Sequence, residues 1–143
     1  MNKISKLLLT FFSAIALIFV STTVSFSKVV GDKIILGAAV SLTGKYSSNG
    51  VHTQNGYNLA VERINSMGGI KVGGKTYKFE IIYYDDESNS GRAAQLAERL
   101  IKQDGVQFML GPYSSGLTKA MAPVTEKYKI PMVEANGASR SLF

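Results

Sequence analysis

Apolar segments alternate with helical patterns along most of the chain, and this alternation constrains the fold more than any other feature. Residues 33–40 form a continuous apolar run, which is typical of a strand covered on both faces, as in a parallel sheet. Further strands are predicted at residues 77–84, 106–110 and 132–135, with a predicted helix between each strand and the next. The sequence therefore predicts an α/β fold: an open, mostly parallel sheet with helices on both faces and right-handed crossovers.

Each of the three predicted helices carries apolar residues at helical spacing. A polar loop at residues 45–50 precedes the first helix. Asn89 is a favourable N-cap for the second helix, in which Glu98 and Lys102 are expected to pair across one turn. The third helix contains Pro123, which removes a backbone hydrogen bond and predicts a kink. The apolar positions are Tyr57, Ala60, Val61 and Ile64; Ala93, Leu96, Ala97, Leu100 and Ile101; and Leu117, Ala120, Met121, Val124 and Tyr128.

The first 27 residues have the order of a secretory signal peptide. A short basic start is followed by a largely apolar run at residues 7–20 and then by small polar residues. A membrane anchor is the alternative, but this run is shorter than the roughly 20 residues that a spanning helix needs. Cleavage is expected after Ser27. Because the chain has no cysteine, a lipid-modified cysteine at the junction is excluded, and no stable membrane anchor is expected afterwards.

Charge and composition exclude several classes of function. The formal net charge of +6 falls to +4 when Lys3 and Lys6 leave with the signal peptide. The remaining lysines are scattered and form no basic tract with interleaved aromatic residues, so nucleic acid is not an expected partner. The absence of cysteine also excludes disulfides, thiol nucleophiles and cysteine-based metal sites.

A formal match to the phosphate-binding loop of nucleotide hydrolases, G-x-x-x-x-G-K-[ST], covers residues 69–76. That loop requires a strand before it and a helix after it, because backbone amides and a helix start together bind the phosphates. Here a predicted helix precedes the match and a predicted strand follows it. The segment is therefore interpreted as a small hairpin that turns at Gly73-Gly74, and nucleotide binding is not expected.

Asp85, Asp86 and Glu87 could form a metal site or supply a general base at the end of a strand. Adjacent carboxylates on a turn are usually solvated, and the only histidine, His52, lies far away in the sequence. We therefore expect solvated carboxylates, a partly exposed His52, and no catalytic residue, metal site or cofactor.

Residues 106–118 predict a buried strand, a tight turn, two serines and the start of a helix. A helix start has unpaired N–H groups and the positive end of the helix dipole. Ser114 and Ser115 can therefore cap the helix or help to bind an anion. Residues 41–50 and 135–139 also follow strands, and ligands bind beyond the carboxyl ends of strands in open α/β sheets. Together the three loops predict a polar, uncharged pocket for a carboxylate or amide ligand.

Four motifs occur in a specific order and spacing: Leu42-Thr43-Gly44, Ile64-Asn65-Ser66-Met67-Gly68-Gly69-Ile70, Tyr84-Asp85-Asp86 and Gly111-Pro112-Tyr113-Ser114-Ser115. With them, nearly all of residues 33–143 resemble the exported substrate-binding proteins of branched-chain amino acid (leucine/isoleucine/valine-type) ABC transporters. The resemblance implies a type I periplasmic binding protein fold, in which two similar lobes close on a ligand. Residues 28–143 would then be the N-terminal part of the first lobe, truncated and without the second lobe.

The resemblance also implies a set of ligand-binding residues. Ser115 would bind the carboxylate of the ligand, and the loop at residues 136–138 would hold its amino and carboxylate groups. Asn49 occupies a position in the first loop where an aromatic residue can contact the ligand side chain. The implied ligand-binding residues are Asn49, Tyr113, Ser114, Ser115, Asn136, Gly137 and Ala138.

The function implied by the resemblance is the solute-binding component of an ABC importer. It would capture a small amino acid-like or amide-like solute in the periplasm without chemical change and deliver it to a membrane permease. Two alternatives are an exported α/β hydrolase that uses Ser115, with only His52 available as a base, and a ligand-sensing receptor domain on the same fold. We also expect residues 28–143 alone to fold poorly, because no helix follows the last strand to cover it.

Overall fold

The computed structural model describes residues 31–134 and 136–142, and the predicted signal peptide lies outside them. In the described part of the chain, strands and helices alternate as predicted. The elements are β1 (Lys33–Val40), α1 (Ser47–Ser66), β2 (Ile70–Val72), β3 (Lys75–Asp85), α2 (Ser90–Lys102), β4 (Phe108–Leu110), α3 (Ser115–Tyr128), β5 (Met132–Val133) and a short 3-10 turn (Arg140–Leu142).

The strands form one sheet in the order β2-β3-β1-β4-β5. β1 is parallel to β3 and β4, β4 is parallel to β5, and β2 pairs antiparallel with β3. Val40 lies opposite Asp85, and Ala38 lies opposite Leu110, so the carboxyl ends of three strands meet at one edge. The strand order reverses direction between β1 and β4. In open α/β sheets a ligand site is expected at that point.

Helices cover both faces of the sheet. On one face, α2 and α3 pack Leu100 and Met121 against Ala39 and Met109. On the other face, α1 packs Tyr57 and other apolar side chains against alternate residues of β1. Successive side chains of a strand point to opposite faces of the sheet. Because helices cover both faces, residues 34–40 of β1 face the protein interior, which explains its continuous apolar run. The predicted α/β architecture is confirmed.

The β2-β3 hairpin explains the match to the phosphate-binding loop. Val72 pairs with Lys75 across the turn, and Gly73 and Gly74 have φ angles of 58° and 80°. Glycine adopts such positive angles without steric cost. A strand therefore follows the glycines, where a phosphate-binding loop requires a helix, and the hairpin interpretation is confirmed.

The first helix begins earlier than predicted. α1 starts at Ser47, so residues 47–50 of the predicted polar loop are helical, and Asn49 lies in the first turn. A Cβ atom at Gly50 would lie 1.9 Å from the carbonyl oxygen of Ser41. Glycine therefore lets the start of α1 lie directly against the end of β1. This contact between distant residues gives no signal in the local sequence.

Glu98 on α2 makes its hydrogen bonds and its ion pair with α3. Its carboxylate accepts a hydrogen bond from the hydroxyl of Tyr128 and lies 3.4 Å from the ammonium group of Lys127. Among the described residues no ion pair joins Glu98 to Lys102, so the predicted pairing within α2 is wrong. The predicted cap of the same helix is confirmed, since Asn89 accepts a hydrogen bond of 2.9 Å from the Arg92 N–H.

Strand boundaries shift by one or two residues. β3 runs to Asp85, and β4 begins at Phe108, two residues later than predicted. β5 begins at Met132 as predicted, and residue 135 lies outside the described residues. In the part of the chain that the structure describes, no helix has both the length and the apolar character needed to cross a membrane.

Candidate functional site

A polar cavity of about 410 Å³ lies beside α1, among the segments that follow β1, β4 and β5. It contains one residue or more from each of the three segments that the sequence predicts to meet. Its volume falls within the roughly 300–1,000 Å³ that is usual for small-molecule sites. The residues that line it are Asn49, His52, Thr53, Gly56, Tyr57, Tyr113 and Asn136.

Most of this lining comes from one face of α1. Positions 49, 52, 53, 56 and 57 are spaced by three or four residues, so they form one stripe along the helix. Of these, only Asn49 is predicted from the sequence as a ligand-binding residue. The others could have been found from the same spacing, counted from Asn49 along a helix that begins at Ser47. The predicted exposure of His52 is confirmed.

A larger cavity, of about 590 Å³, lies between α1 and the sheet and is almost entirely apolar. Phe108 and Val133 line its side toward β4 and β5, and they are 38% and 59% exposed. This cavity lacks the convergent polar groups that orient a small polar ligand. The smaller polar cavity is therefore the candidate site.

Asp85, the last residue of β3, holds the loop between β1 and α1. One carboxylate oxygen accepts hydrogen bonds from the N–H groups of Leu42 (2.9 Å), Thr43 (3.2 Å) and Glu87 (2.9 Å), and the other accepts from the Thr43 hydroxyl (2.8 Å). Burial acts to raise the pKa of Asp85, but these hydrogen bonds outweigh it and hold the pKa below its usual value.

Asp86 is fully buried next to this loop. Its Oδ1 atom accepts hydrogen bonds from the Ser41 hydroxyl (2.6 Å) and the Ser88 N–H (2.8 Å), whereas Oδ2 has no hydrogen-bond partner among the described residues. Burial raises the pKa of Asp86, and the two hydrogen bonds act against it. The prediction that these carboxylates are solvated is therefore wrong for Asp86, whereas Asp85 is partly exposed, and both side chains fix the loop.

The same loop positions an aromatic pair beside the cavity. The Ser88 hydroxyl donates to the Thr43 carbonyl (2.8 Å) and accepts from the Tyr46 N–H (3.0 Å). The Tyr46 ring meets the Tyr113 ring edge-on, with 5.7 Å between centroids and 65° between planes. The end of β3 is thus connected, through the first loop, to a side chain that lines the cavity.

Ser114 and Ser115 have different partners. Ser114 has a φ of 88°, and its Oγ accepts a hydrogen bond of 3.4 Å from the Leu117 N–H, so it caps α3. The Oγ of Ser115 accepts from the Ser139 N–H at 3.1 Å, which joins the start of α3 to the loop after β5. A hydroxyl that accepts a hydrogen bond keeps its own proton for a further acceptor.

Polar contacts next to the cavity join α1 to the residues that follow β4 and β5. The Tyr57 hydroxyl donates to the Gly111 carbonyl (2.7 Å), and the Asn136 carboxamide donates to the Thr53 hydroxyl (3.3 Å). Burial raises the pKa of Tyr57 to about 12, and the negative charge of Glu134 adds to this effect. The tyrosine is therefore a neutral hydrogen-bonding group at physiological pH.

The structure brings three of the seven predicted site residues to the cavity, namely Asn49, Tyr113 and Asn136. The other four, Ser114, Ser115, Gly137 and Ala138, are not among its lining residues. Ser114 caps a helix, and the N–H of Gly137 donates to Glu134. The ligand-binding roles of all seven remain predictions.

Most side chains that line the cavity can form hydrogen bonds. No hydrogen bond joins His52 to Ser115 within the described residues, and the Oγ atom of Ser115 accepts from a backbone N–H. A serine nucleophile needs a base within hydrogen-bond reach. In the described part of the chain, no three histidine, aspartate or glutamate side chains are grouped so that they could hold a metal ion. The amide, hydroxyl and imidazole side chains that line the cavity are suited to binding a small polar molecule.

A family model described as "Periplasmic binding protein" matches residues 33–141. The chain belongs to this family of periplasmic binding proteins. A curated relative, Leu/Ile/Val-binding protein homolog 1 of Brucella abortus, is 30% identical over 109 residues, which are 76% of this chain and 27% of the relative. The Leu/Ile/Val-binding protein BraC3 of Rhizobium johnstonii is 26% identical over 120 residues, which are 84% of this chain and 31% of the relative.

A solved structure with the same fold is the branched-chain amino acid transporter substrate-binding protein LivJ of Streptococcus pneumoniae in complex with isoleucine. It has a TM-score of 0.70 and 30% identity, over 77% of this chain and 30% of LivJ. The chain therefore has the fold of a type I periplasmic binding protein lobe, as the resemblance implies. Both the resemblance and the predicted fold class are confirmed. The chain spans 27–31% of the length of the two curated relatives.

Proposed function

We propose that the chain is part of the solute-binding component of an ABC importer, which captures a small solute and passes it unchanged to a membrane permease. The observation that carries this proposal is the polar cavity of about 410 Å³ at the carboxyl edge of the sheet, in a chain of this family. The relatives and neighbours named above are solute-binding proteins, and none is named as an enzyme. The protein acts in the periplasm after export.

The solute we propose is a small amino acid-like or amide-like molecule that carries a carboxylate or carboxamide group. The LivJ structure contains isoleucine. A solute-binding protein of Rhodopseudomonas palustris, with a TM-score of 0.66 and 28% identity over 78% of this chain and 29% of its own length, contains 3,4-dihydroxybenzoic acid. Both ligands are carboxylic acids. Ser115 does not line the cavity but contacts Ser139 in the loop that carries Asn136, so we propose that a carboxylate of the solute extends from the cavity to the Ser115 hydroxyl and the positive end of α3.

Calorimetry on the full-length exported protein tests this proposal. Isoleucine, 3,4-dihydroxybenzoic acid and acetamide serve as probes, and we expect at least one to bind with one-to-one stoichiometry. Ser115→Ala should weaken binding of a carboxylate probe by roughly 1.5–3 kcal/mol, because a hydrogen bond to a charged group is lost. This corresponds to about 10- to 150-fold in Kd.

The matched control is Ser66→Ala, which removes an exposed hydroxyl at the far end of α1. Its affinity should equal that of the wild-type protein. An unchanged affinity in Ser115→Ala would refute the role of that serine. Hydrolysis of an ester substrate that is lost in Ser115→Ala would overturn the proposed function and favour the hydrolase.

A further inference from the structure

The carboxylate of Glu134 is bound by the loop that follows β5. Its Oε1 atom accepts hydrogen bonds from the backbone N–H groups of Asn136 and Gly137, each at 2.5 Å. Its Oε2 atom accepts from the hydroxyl of Thr118 on α3 at 2.7 Å. Thr118 is only 3% exposed and Glu134 is half-buried, so this contact is partly shielded from solvent.

Two glycines lie close to this carboxylate. A Cβ atom at Gly111 would lie 2.0 Å from Oε2 of Glu134, and one at Gly137 would lie 3.1 Å from its Cδ atom. Two loops thus carry glycine where they approach the carboxylate. Its position is defined by three donors and by this close packing.

Two consecutive backbone N–H groups that point at one oxygen form a typical site for a bound anion. In this chain the anion is an internal side chain. The N–H groups of Asn136 and Gly137 are therefore already used, and a second carboxylate next to Glu134 would also meet its negative charge. The side chain of Asn136 has a separate role, since its carboxamide lies at the cavity and donates to Thr53.

We propose that Glu134 is a specificity-determining positioning residue, whose carboxylate occupies the amide pair of residues 136–137 and excludes the carboxylate of a solute from it. The solute then meets the Asn136 carboxamide at this loop, and any anionic group that it carries binds at the start of α3. This proposal rests on the proposed function for the position of the solute. The internal anion itself can be tested without any solute.

The test is a titration with acetate, followed by the amide resonances of Asn136 and Gly137 in the isotope-labelled, full-length exported protein. In the wild-type protein acetate should leave both resonances unchanged, because Glu134 occupies the amides. In Glu134→Ala the two resonances should shift saturably with acetate and return toward their wild-type positions. Glu134→Gln keeps an acceptor oxygen, so its resonances should stay near the wild-type positions and should not respond to acetate.

Two outcomes would overturn the proposal: a saturable response of these amides in the wild-type protein, or no response in Glu134→Ala. If Glu134→Ala does not fold, hydrogen exchange in the wild-type protein decides, because both amide protons should be strongly protected and rapid exchange would contradict the hydrogen bonds. Neither experiment depends on solute binding. A wild-type protein that binds no probe by calorimetry would therefore refute the proposed function and leave the result for Glu134 standing.

Discussion

Two glycines of α1 should respond in opposite directions to the same substitution. Gly50 is buried against the backbone of Ser41, whereas a Cβ atom at Gly56 would meet no atom within 4 Å. Both residues lie in the same helix, where alanine is favoured over glycine by about 0.8–1.0 kcal/mol. The difference between Gly50→Ala and Gly56→Ala therefore isolates the contact between α1 and β1.

The magnitude follows from the contact distance. A Cβ atom at residue 50 would lie 1.9 Å from the Ser41 carbonyl oxygen, far inside the usual contact distance of carbon and oxygen. The clash can be removed only if the backbone of α1 or of Ser41 shifts, and such overpacking costs about 1–3 kcal/mol or more. The higher helix propensity of alanine offsets part of this cost. Gly50→Ala should therefore lower the unfolding free energy by up to about 2 kcal/mol. Gly56→Ala should gain up to about 1 kcal/mol.

Urea unfolding of the full-length exported protein measures both changes, and the midpoints should move in opposite directions at an unchanged slope. Calorimetry with a bound probe adds a second readout. Gly56 lines the cavity, so its added methyl group should weaken binding although the protein becomes more stable. A Gly50→Ala protein as stable as Gly56→Ala would refute the inference that α1 depends on close approach to Ser41.

Two further predictions concern the ends of β3 and α2. Asp85→Asn should lower the unfolding free energy by about 1–2 kcal/mol at pH 7, because hydrogen bonds to a charged group are replaced by neutral ones. The pKa of Asp85 is lowered in the folded protein, so this stabilisation is present above the unfolded pKa of about 4 and is lost as pH falls through the folded pKa. Unfolding curves of both proteins should therefore converge in acid, and a difference that persists unchanged at low pH would contradict the assignment. Asn89→Ala should cost about 1 kcal/mol through the lost cap of α2, whereas Asn89→Ser should restore most of it in the same urea assay.

The sequence determines the α/β class because its signals are local and repeated. The apolar run of β1 needs cover on both faces, and the glycines at positions 73 and 74 adopt the positive φ angles of the hairpin turn. Asn89 and Ser114 are capping residues at predicted helix starts, and both act as caps. Each of these features depends on neighbours within a few residues, so periodicity and turn chemistry are sufficient to find them.

The sequence also indicates which edge of the sheet carries the candidate site. Loops rich in small polar residues follow three predicted strands, and Asn49, Tyr113 and Asn136 from these segments line one cavity. The sequence does not predict the rest of the lining, because it places Asn49 in a loop and so gives no helical spacing that links Asn49 to positions 52–57. With α1 beginning at Ser47, the stripe from Asn49 to Tyr57 becomes visible by its spacing.

Only the tertiary structure decides the partners of the charged groups. Asp86 is buried beneath Ser41, Glu98 contacts α3, and the carboxylate of Glu134 lies between α3 and the loop after β5. These contacts join residues 16–45 positions apart. A carboxylate is solvated or buried and hydrogen-bonded according to which residues of other helices, strands and loops pack around it. Local sequence therefore determines the strands, helices and turns of this protein, and long-range packing determines which polar groups are bound within the fold and which line the cavity.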